Sequence, residues 1–243
     1  MPKKRPVPVS SMKALPMNGD EAARAEGAQA ERRREASERG ETVRAASGAA
    51  FGEVHLLLIV DASGSMAPYQ EIVRQGLRGF LARLGPAIPY RITLAQFENA
   101  VRALCVNEPI SAMVAQRAVA DYRAWGGTSL WDGIVDALDF EEGSSPTLCL
   151  IASDGEDVSS RLTAEDARRA IEQRRALGTW TFLWLNMTGR PLAQPESLGV
   201  ETMDLRREDL SQTLAAIAAR LGRAVERMRL EGAPRIPDLL RLE

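Results

Sequence analysis

Residues 54–60 read as almost continuously apolar (Val54, Leu56, Leu57, Leu58, Ile59, Val60), the signature of a strand covered on both faces. Similar runs lie at 147–153 and 179–186, with a short one near 200–204. Between them the apolar period lengthens to that of a helix. Ile72, Val73, Leu77, Phe80, Leu81 and Leu84 predict a helix over 68–84, with Pro68 suited to its first turn and Gly85-Pro86 ending it. Two strands near 90–97 and 100–106 are separated by Glu98-Asn99, which reads as a hairpin turn. Further helices are predicted at 112–122, 129–140 and 163–177, the last opened by Thr163 with Glu165 and Asp166 in its first turn. Leu210, Leu214, Ile217, Leu221, Val225 and Met228 form the stripe of a final helix. Strands alternating with helices predict an α/β fold: a doubly wound sheet flanked by helices.

This pattern occupies residues 51–230. Residues 1–19 hold four prolines and little to bury, which predicts disorder. Residues 20–47 are rich in Ala, Glu and Arg, but Val43 is their one large apolar residue. They read as a solvated helix that frays, or as an arm that orders on a partner. Residues 1–50 are thus a disordered or helical arm, and 231–243 a carboxyl-terminal tail with two prolines.

Charge is unevenly spread. Residues 1–50 carry a net +3 and residues 51–243 a net −5, within a total of −2. All three lysines (Lys3, Lys4, Lys13) precede the domain, which excludes a lysine-bearing phosphate loop and Schiff-base catalysis there. A single histidine, His55, excludes a histidine-rich metal site and reads as a satisfied strand residue. Lys3-Lys4-Arg5 is too small a basic cluster, beside an acidic domain, for strong nucleic-acid binding. The first residues lack the apolar core of a signal peptide, and no run is long enough to span a membrane. Cys105 and Cys149 read as buried reduced thiols. A cytoplasmic protein without a membrane partner is the expectation.

The chemistry concentrates where the strands end. Asp61-Ala62-Ser63-Gly64-Ser65 leaves the first strand with one carboxylate and two hydroxyls at alternating positions. Gly126-Gly127-Thr128-Ser129 lies on a loop, and Ser153-Asp154-Gly155 closes another apolar run. Asp61, Ser63, Ser65, Thr128 and Asp154 together offer oxygen donors alone, as a hard cation such as magnesium requires. In doubly wound sheets ligands collect at the carboxyl ends of strands, where Asp61 and Asp154 lie. The first motif alone could be an ordinary strand-to-helix turn; joined to Thr128 and Asp154 it reads as a metal site.

These motifs, Asp-x-Ser-x-Ser, Gly-Gly-Thr-Ser and Ser-Asp-Gly, resemble those of the von Willebrand factor A domain over residues 53–229. The resemblance implies a six-stranded, mostly parallel Rossmann-like sheet with one antiparallel edge strand and a metal-ion-dependent adhesion site at its top. It implies that Ser63 and Ser65 bind magnesium directly, and Thr128 directly or through water. Asp61 and Asp154 would act mostly through water and hydrogen bonds; manganese or calcium are the substitutes. It further implies a non-enzymatic interaction module that recruits an acidic residue of a partner protein. Within the family the chain is similar to stand-alone bacterial intracellular members, among them tellurium-resistance-associated proteins and partners of MoxR-type ATPases. An ATPase or a stress or defence complex is then the expected partner.

The neighbours of these motifs allow more than one role. Tyr69 and Trp125 are candidate rim contacts for a partner, since aromatics anchor interfaces. Glu156 and Asp157 read as a solvated acidic loop, or as groups that tune the metal and repel wrong partners. Trp131 reads as core, and Asp132 and Asp136 as surface or capping residues. Enzymatic readings fare poorly. A dehalogenase-type phosphatase wants a second aspartate where Ser63 stands, and a hydrolase built on Ser129 lacks a histidine base. The alternative to the metal-dependent module is a scaffold with a vestigial site, binding through its arm or last helix.

Overall fold

The computed structural model describes residues 52–84, 88–141, 144–188, 190–205 and 210–237. The arm expected over residues 1–50 and the last six residues of the expected tail lie outside the described residues. Six strands, β1 (Val54–Asp61), β2 (Tyr90–Phe97), β3 (Val101–Pro109), β4 (Thr147–Ser153), β5 (Trp180–Asn186) and β6 (Glu201–Asp204), form one sheet. Their order is β3-β2-β1-β4-β5-β6. The β2–β3 pair is antiparallel and the other neighbouring pairs are parallel. Strand order reverses between β1 and β4, which run side by side from His55↔Thr147 to Val60↔Ala152. Asp61 and Asp154 therefore emerge at the same edge, over the crevice where this topology collects ligands.

Helices α1 (Gln70–Arg83), α2 (Ala112–Asp121), α3 (Leu130–Leu138), α4 (Ala164–Ala176), α5 (Ala193–Ser197) and α6 (Leu210–Glu231) cover the two faces. Leu56, Leu58 and Val60 pack with Val73, Leu77 and Phe80 of α1 and Leu214, Ile217 and Leu221 of α6. Leu57 and Ile59 point the other way, onto Leu130 and Ile134 of α3 and Ile171 of α4. The unbroken apolar run of β1 follows from this double cover. Thr163 caps α4 by the reciprocal hydrogen bonds with Asp166 that its sequence predicts.

Four local features depart from the sequence pattern. The chain from Gly64 to Tyr69 is a 3-10 turn holding Pro68, so α1 begins at Gln70 rather than 68. The tighter turn keeps the two serines on a compact loop before the α-helix starts. β3 runs to Pro109, past the expected 106, through register shifts opposite Ile92 to Ala95. Asn107 takes the left-handed φ of 48° there, a conformation asparagine tolerates. The short α5 has too few residues to show a period. Residues 232–237, assigned to the tail by their prolines, fold back on the sheet. Ile236 is fully buried among the α1 and α6 residues, and its carbonyl accepts a 2.6 Å bond from the Thr181 hydroxyl.

At the opposite end of the sheet from the site motifs, His55 lies 3.0 Å from Glu141, which also accepts from the Thr93 hydroxyl. All three are buried, so His55 is the satisfied strand residue its context predicts. Docking of residues 232–237 has a measurable consequence. Ile236→Ala should lower unfolding free energy by about 2–4 kcal/mol in chemical denaturation, as other buried isoleucine truncations do. A loss under about 0.5 kcal/mol would mean that this segment contributes no packing.

Candidate metal centre

β1 delivers Asp61 to the top of the sheet with its side chain fully buried. One carboxylate oxygen accepts from the Ser63 amide at 2.8 Å, a local turn that aspartate stabilises well. The other accepts from the Ser153 hydroxyl at 2.8 Å, and Ser153 in turn accepts from the Gly155 amide. The Asp61 carbonyl accepts from the buried Tyr122 hydroxyl at 2.6 Å. Ser63 and Ser65 hydroxyls are 3.0 Å apart, and Ser65 donates to Asp154 at 2.6 Å. Side-chain hydrogen bonds thus link Ser63, Ser65 and Asp154 in one chain and Asp61 to the base of the Asp154 turn.

Thr128 arrives by its backbone. The Gly64 amide donates to Gly126 and the Trp125 amide to Ala62, which lays the Thr128 loop against the serine loop. The positive φ of Gly126 favours glycine at the crossing, and a side chain at either position would have to displace the Glu98 or Asn99 side chain. A Cβ on Gly126, whose φ is +87°, would lie 2.0 Å from a Glu98 carboxylate oxygen. One on Gly127 would lie 2.3 Å from the Asn99 amide oxygen. The Thr128 side chain is buried on this loop, and its carbonyl accepts from the Val158 and Ser159 amides. All five sequence-predicted donors therefore lie on three loops in mutual contact.

The loop after β4 is stitched to the start of α3. Asp157 accepts from the Leu130 amide at 2.9 Å and from the Ser160 hydroxyl, while the Trp131 amide donates to Ser160. Asp132, buried on α3, accepts from the Arg161 and Leu162 amides and from the Arg161 guanidinium. Burial pushes the Asp132 carboxyl up, but the Leu162 amide and the Arg161 contacts outweigh it and hold the group below its ordinary value. Asp157 thus spends its carboxylate as a helix cap, and Tyr69 packs half-buried against the α1 and α6 core. Trp125 and Glu156 are exposed, and Trp131 packs half-buried on the opposite core.

Sequence reasoning missed Ser153, Tyr122 and the clamp made by Asp132. Ser153 had a signal, since it directly precedes Asp154 at the end of a strand. The other two act across 61 and 29 residues, and no local pattern marks them.

Burial pushes the Asp61 carboxyl up to about 6, against the Ser63 and Ser153 hydrogen bonds that favour its ionised form; Asp154 adds like-charge repulsion. Among the described residues no arginine or histidine pairs with Asp61 or Asp154. Two buried acids with three hydroxyls and no countercharge form a donor set that fits a hard divalent cation. The set relies on hydroxyls: no group of three or more His, Cys, Asp or Glu among the described residues is placed to hold a metal.

Without metal, the raised value sets a pH dependence. Below about 4 Asp61 is neutral in both folded and unfolded chains and burial costs nothing. As pH rises through about 6 the unfolded chain is already ionised, so the folded state loses stability. In EDTA, the stability of wild type relative to Asp61→Asn should fall by roughly 2–3 kcal/mol between about pH 4 and pH 7.5. A pH-independent difference in denaturant titrations would contradict a raised Asp61.

No family model matches the chain, and no curated protein matches it. Solved structures do. A von Willebrand factor type A protein from Catenulispora acidiphila superposes with a TM-score of 0.57 at 19% identity, over 69% of this chain and 42% of that one. BatB from Bacteroides thetaiotaomicron gives 0.54 at 13% identity, over 72% of this chain and 99% of its own. Proximal thread matrix protein 1 from the mussel byssus, with a zinc-occupied MIDAS motif, gives 0.52 at 12% identity, over 67% and 46%. This chain spans less than half the length of the Catenulispora and mussel proteins. At such identities the likeness is one of architecture: this chain has the von Willebrand factor type A fold.

Proposed function

We propose that the chain is a divalent-metal-dependent protein-interaction module, with Asp61, Ser63, Ser65, Thr128 and Asp154 holding magnesium and a partner protein supplying a further carboxylate. The observation that carries this reading is the buried Asp61, linked through Ser153 to the Asp154 loop that also meets the Ser63–Ser65 hydroxyl pair, with no arginine or histidine paired to either acid among the described residues. Two carboxylates balance a divalent charge while neutral hydroxyls leave the ion electrophilic enough to accept one more acid. Asp154 takes the Ser65 proton in hydrogen bonding and leaves serine lone pairs free to face an ion. Ser153 holds the Asp61 carboxylate and Tyr122 its backbone carbonyl, so the donor loop is held before anything binds. The zinc in the mussel protein's site supports divalent binding in this fold; magnesium is the choice here because every donor is a hard oxygen.

A binding role is favoured over catalysis by the position of His55. It lies at the start of β1, one residue after Val54, while Asp61 ends the strand about 20 Å away, and its ring is committed to Glu141. Ser129 bonds to Ser159 instead of to a base. We place the module in a cytoplasmic multi-protein system, with an ATPase or a stress or defence complex as partner. Two buried free cysteines fit a reducing compartment, and no described helix is long and apolar enough to cross a membrane.

Magnesium at about one hundred times its Kd should raise unfolding free energy by about 2.7 kcal/mol, and Ser63→Ala should remove that increment while leaving metal-free stability within about 0.5 kcal/mol. A partner captured in magnesium and released by EDTA, and not captured by Ser63→Ala, completes the expected outcome. Partner capture that survives both EDTA and Ser63→Ala would instead assign binding to the arm or the last helix, around an idle site.

A further inference from the structure

Large apolar side chains exposed among the described residues are Ile72, Val106, Trp125, Val158 and Leu230. Ile72, Val106 and Leu230 are scattered over α1, the edge strand β3 and the end of α6. Single exposed residues of this kind need no explanation. Trp125 and Val158 differ in position: they stand on the two loops that carry Thr128 and Asp154, 65% and 75% exposed.

Neither residue is on a slack loop. The Trp125 amide donates to Ala62 at 2.7 Å, between Asp61 and Ser63. The residues before it are held too, the Ala124 amide by Gln70 and the Arg123 amide by Gln96. The Val158 amide donates to the Thr128 carbonyl at 2.9 Å. Both side chains are therefore presented to water on backbone anchored directly to the donor loops. An exposed indole on anchored backbone beside a candidate binding centre has the character of an interface anchor, since the loop need not be ordered when a partner covers it.

The charges around them narrow the occupant. The Glu98 carboxylate lies against Gly126, and exposed Glu156 follows Asp154, its amide bonded to the Asp154 carboxylate. The cations on the same loops are committed within the protein, Arg123 to the Ala120 and Tyr122 carbonyls and Arg161 to Asp132. A run of acids arriving here meets Glu98 and Glu156 while Arg123 and Arg161 on these loops are held by other partners, whereas a lone acid between apolar side chains meets less repulsion.

We propose that Trp125 and Val158 form an apolar rim that seats the residues flanking the partner's coordinating carboxylate, so that the module selects a single acid within an apolar segment over an acidic run. The inference rests on the proposed metal-dependent function and names the partner chemistry of that site. It is tested with three labelled synthetic peptides, one aspartate flanked by leucines, by glycines or by glutamates, titrated by fluorescence anisotropy in magnesium and in EDTA. Wild type should bind the leucine-flanked peptide about tenfold or more tighter than either other, and only in magnesium. Trp125→Ala and Val158→Ser should each shrink that ratio, the former to within about twofold, while Leu230→Ala keeps it.

Equal magnesium-dependent binding of the leucine and glycine peptides, or a ratio unmoved by Trp125→Ala, overturns the rim and leaves the metal reading intact. Leucine-peptide binding that persists in EDTA but falls in Trp125→Ala overturns the metal reading and leaves the apolar surface. Tighter binding of the glutamate-flanked peptide overturns the selectivity outright, and no binding by any peptide up to millimolar concentration overturns both.

Discussion

The arrangement of this protein turns on a buried carboxylate that no described cation pairs with. Asp61 sits at the end of a strand paired on both sides, so the sheet alone fixes its backbone to within a hydrogen-bond register. Its side chain has no exposure and must find its partners locally, which it does in the Ser63 amide and the Ser153 hydroxyl. Neutral donors of this kind lower the cost of burying a charge without cancelling it. The remaining imbalance is what a divalent ion would remove, and it explains why a folded domain would keep so unfavourable a group in place.

Holding three separate loops around that carboxylate is the second requirement, and the chain meets it mainly with backbone groups. Ala62 accepts from Trp125, Gly126 from Gly64, and Thr128 from Val158 and Ser159. Side chains then lock the outer loop: Asp157 and Ser160 cap the start of α3, and Asp132 reaches back to residues 161 and 162. The acids of this region divide accordingly. Asp132 and Asp157 are consumed in holding loops, while Asp61 and Asp154 are left facing the hydroxyls. The same residue type positions loops in one case and, in the proposed function, would serve the metal in the other; only the identity of its neighbours separates the two.

That division marks the boundary of what the sequence could tell. Apolar runs and periods located the six strands and the long helices, because burial on one or two faces is written into each segment locally. The five candidate donors stood out for a similar reason: each belongs to a short motif at the end of a recognisable strand or in a glycine loop. The role of Asp157 was not legible, since an acid in a polar loop looks the same whether it meets water or the Leu130 amide 27 residues away. Ile236 was hidden between prolines for want of a periodic neighbour, although its burial ties the end of the described chain to β5. Tyr69, next to the serine loop in sequence, is half-buried against the α1 and α6 core, a contact that sequence proximity did not indicate.

The two ends of the sheet show why uncompensated charge is informative here. At the amino end of β1, Glu141 is as buried as Asp61, yet it meets His55, receives the Thr93 hydroxyl, and has its carbonyl capped by Arg174. Arg174 also covers the face of Trp180 at this end. At the carboxyl end the fold had equal access to arginine: the domain's strong bases are arginines throughout, and Arg123 and Arg161 stand on the very loops concerned. Both are turned to other partners, away from Asp61 and Asp154. Among the described residues Glu141 thus faces the ring of His55, whereas Asp61 meets only neutral donors, and that difference is what the proposed metal role would account for.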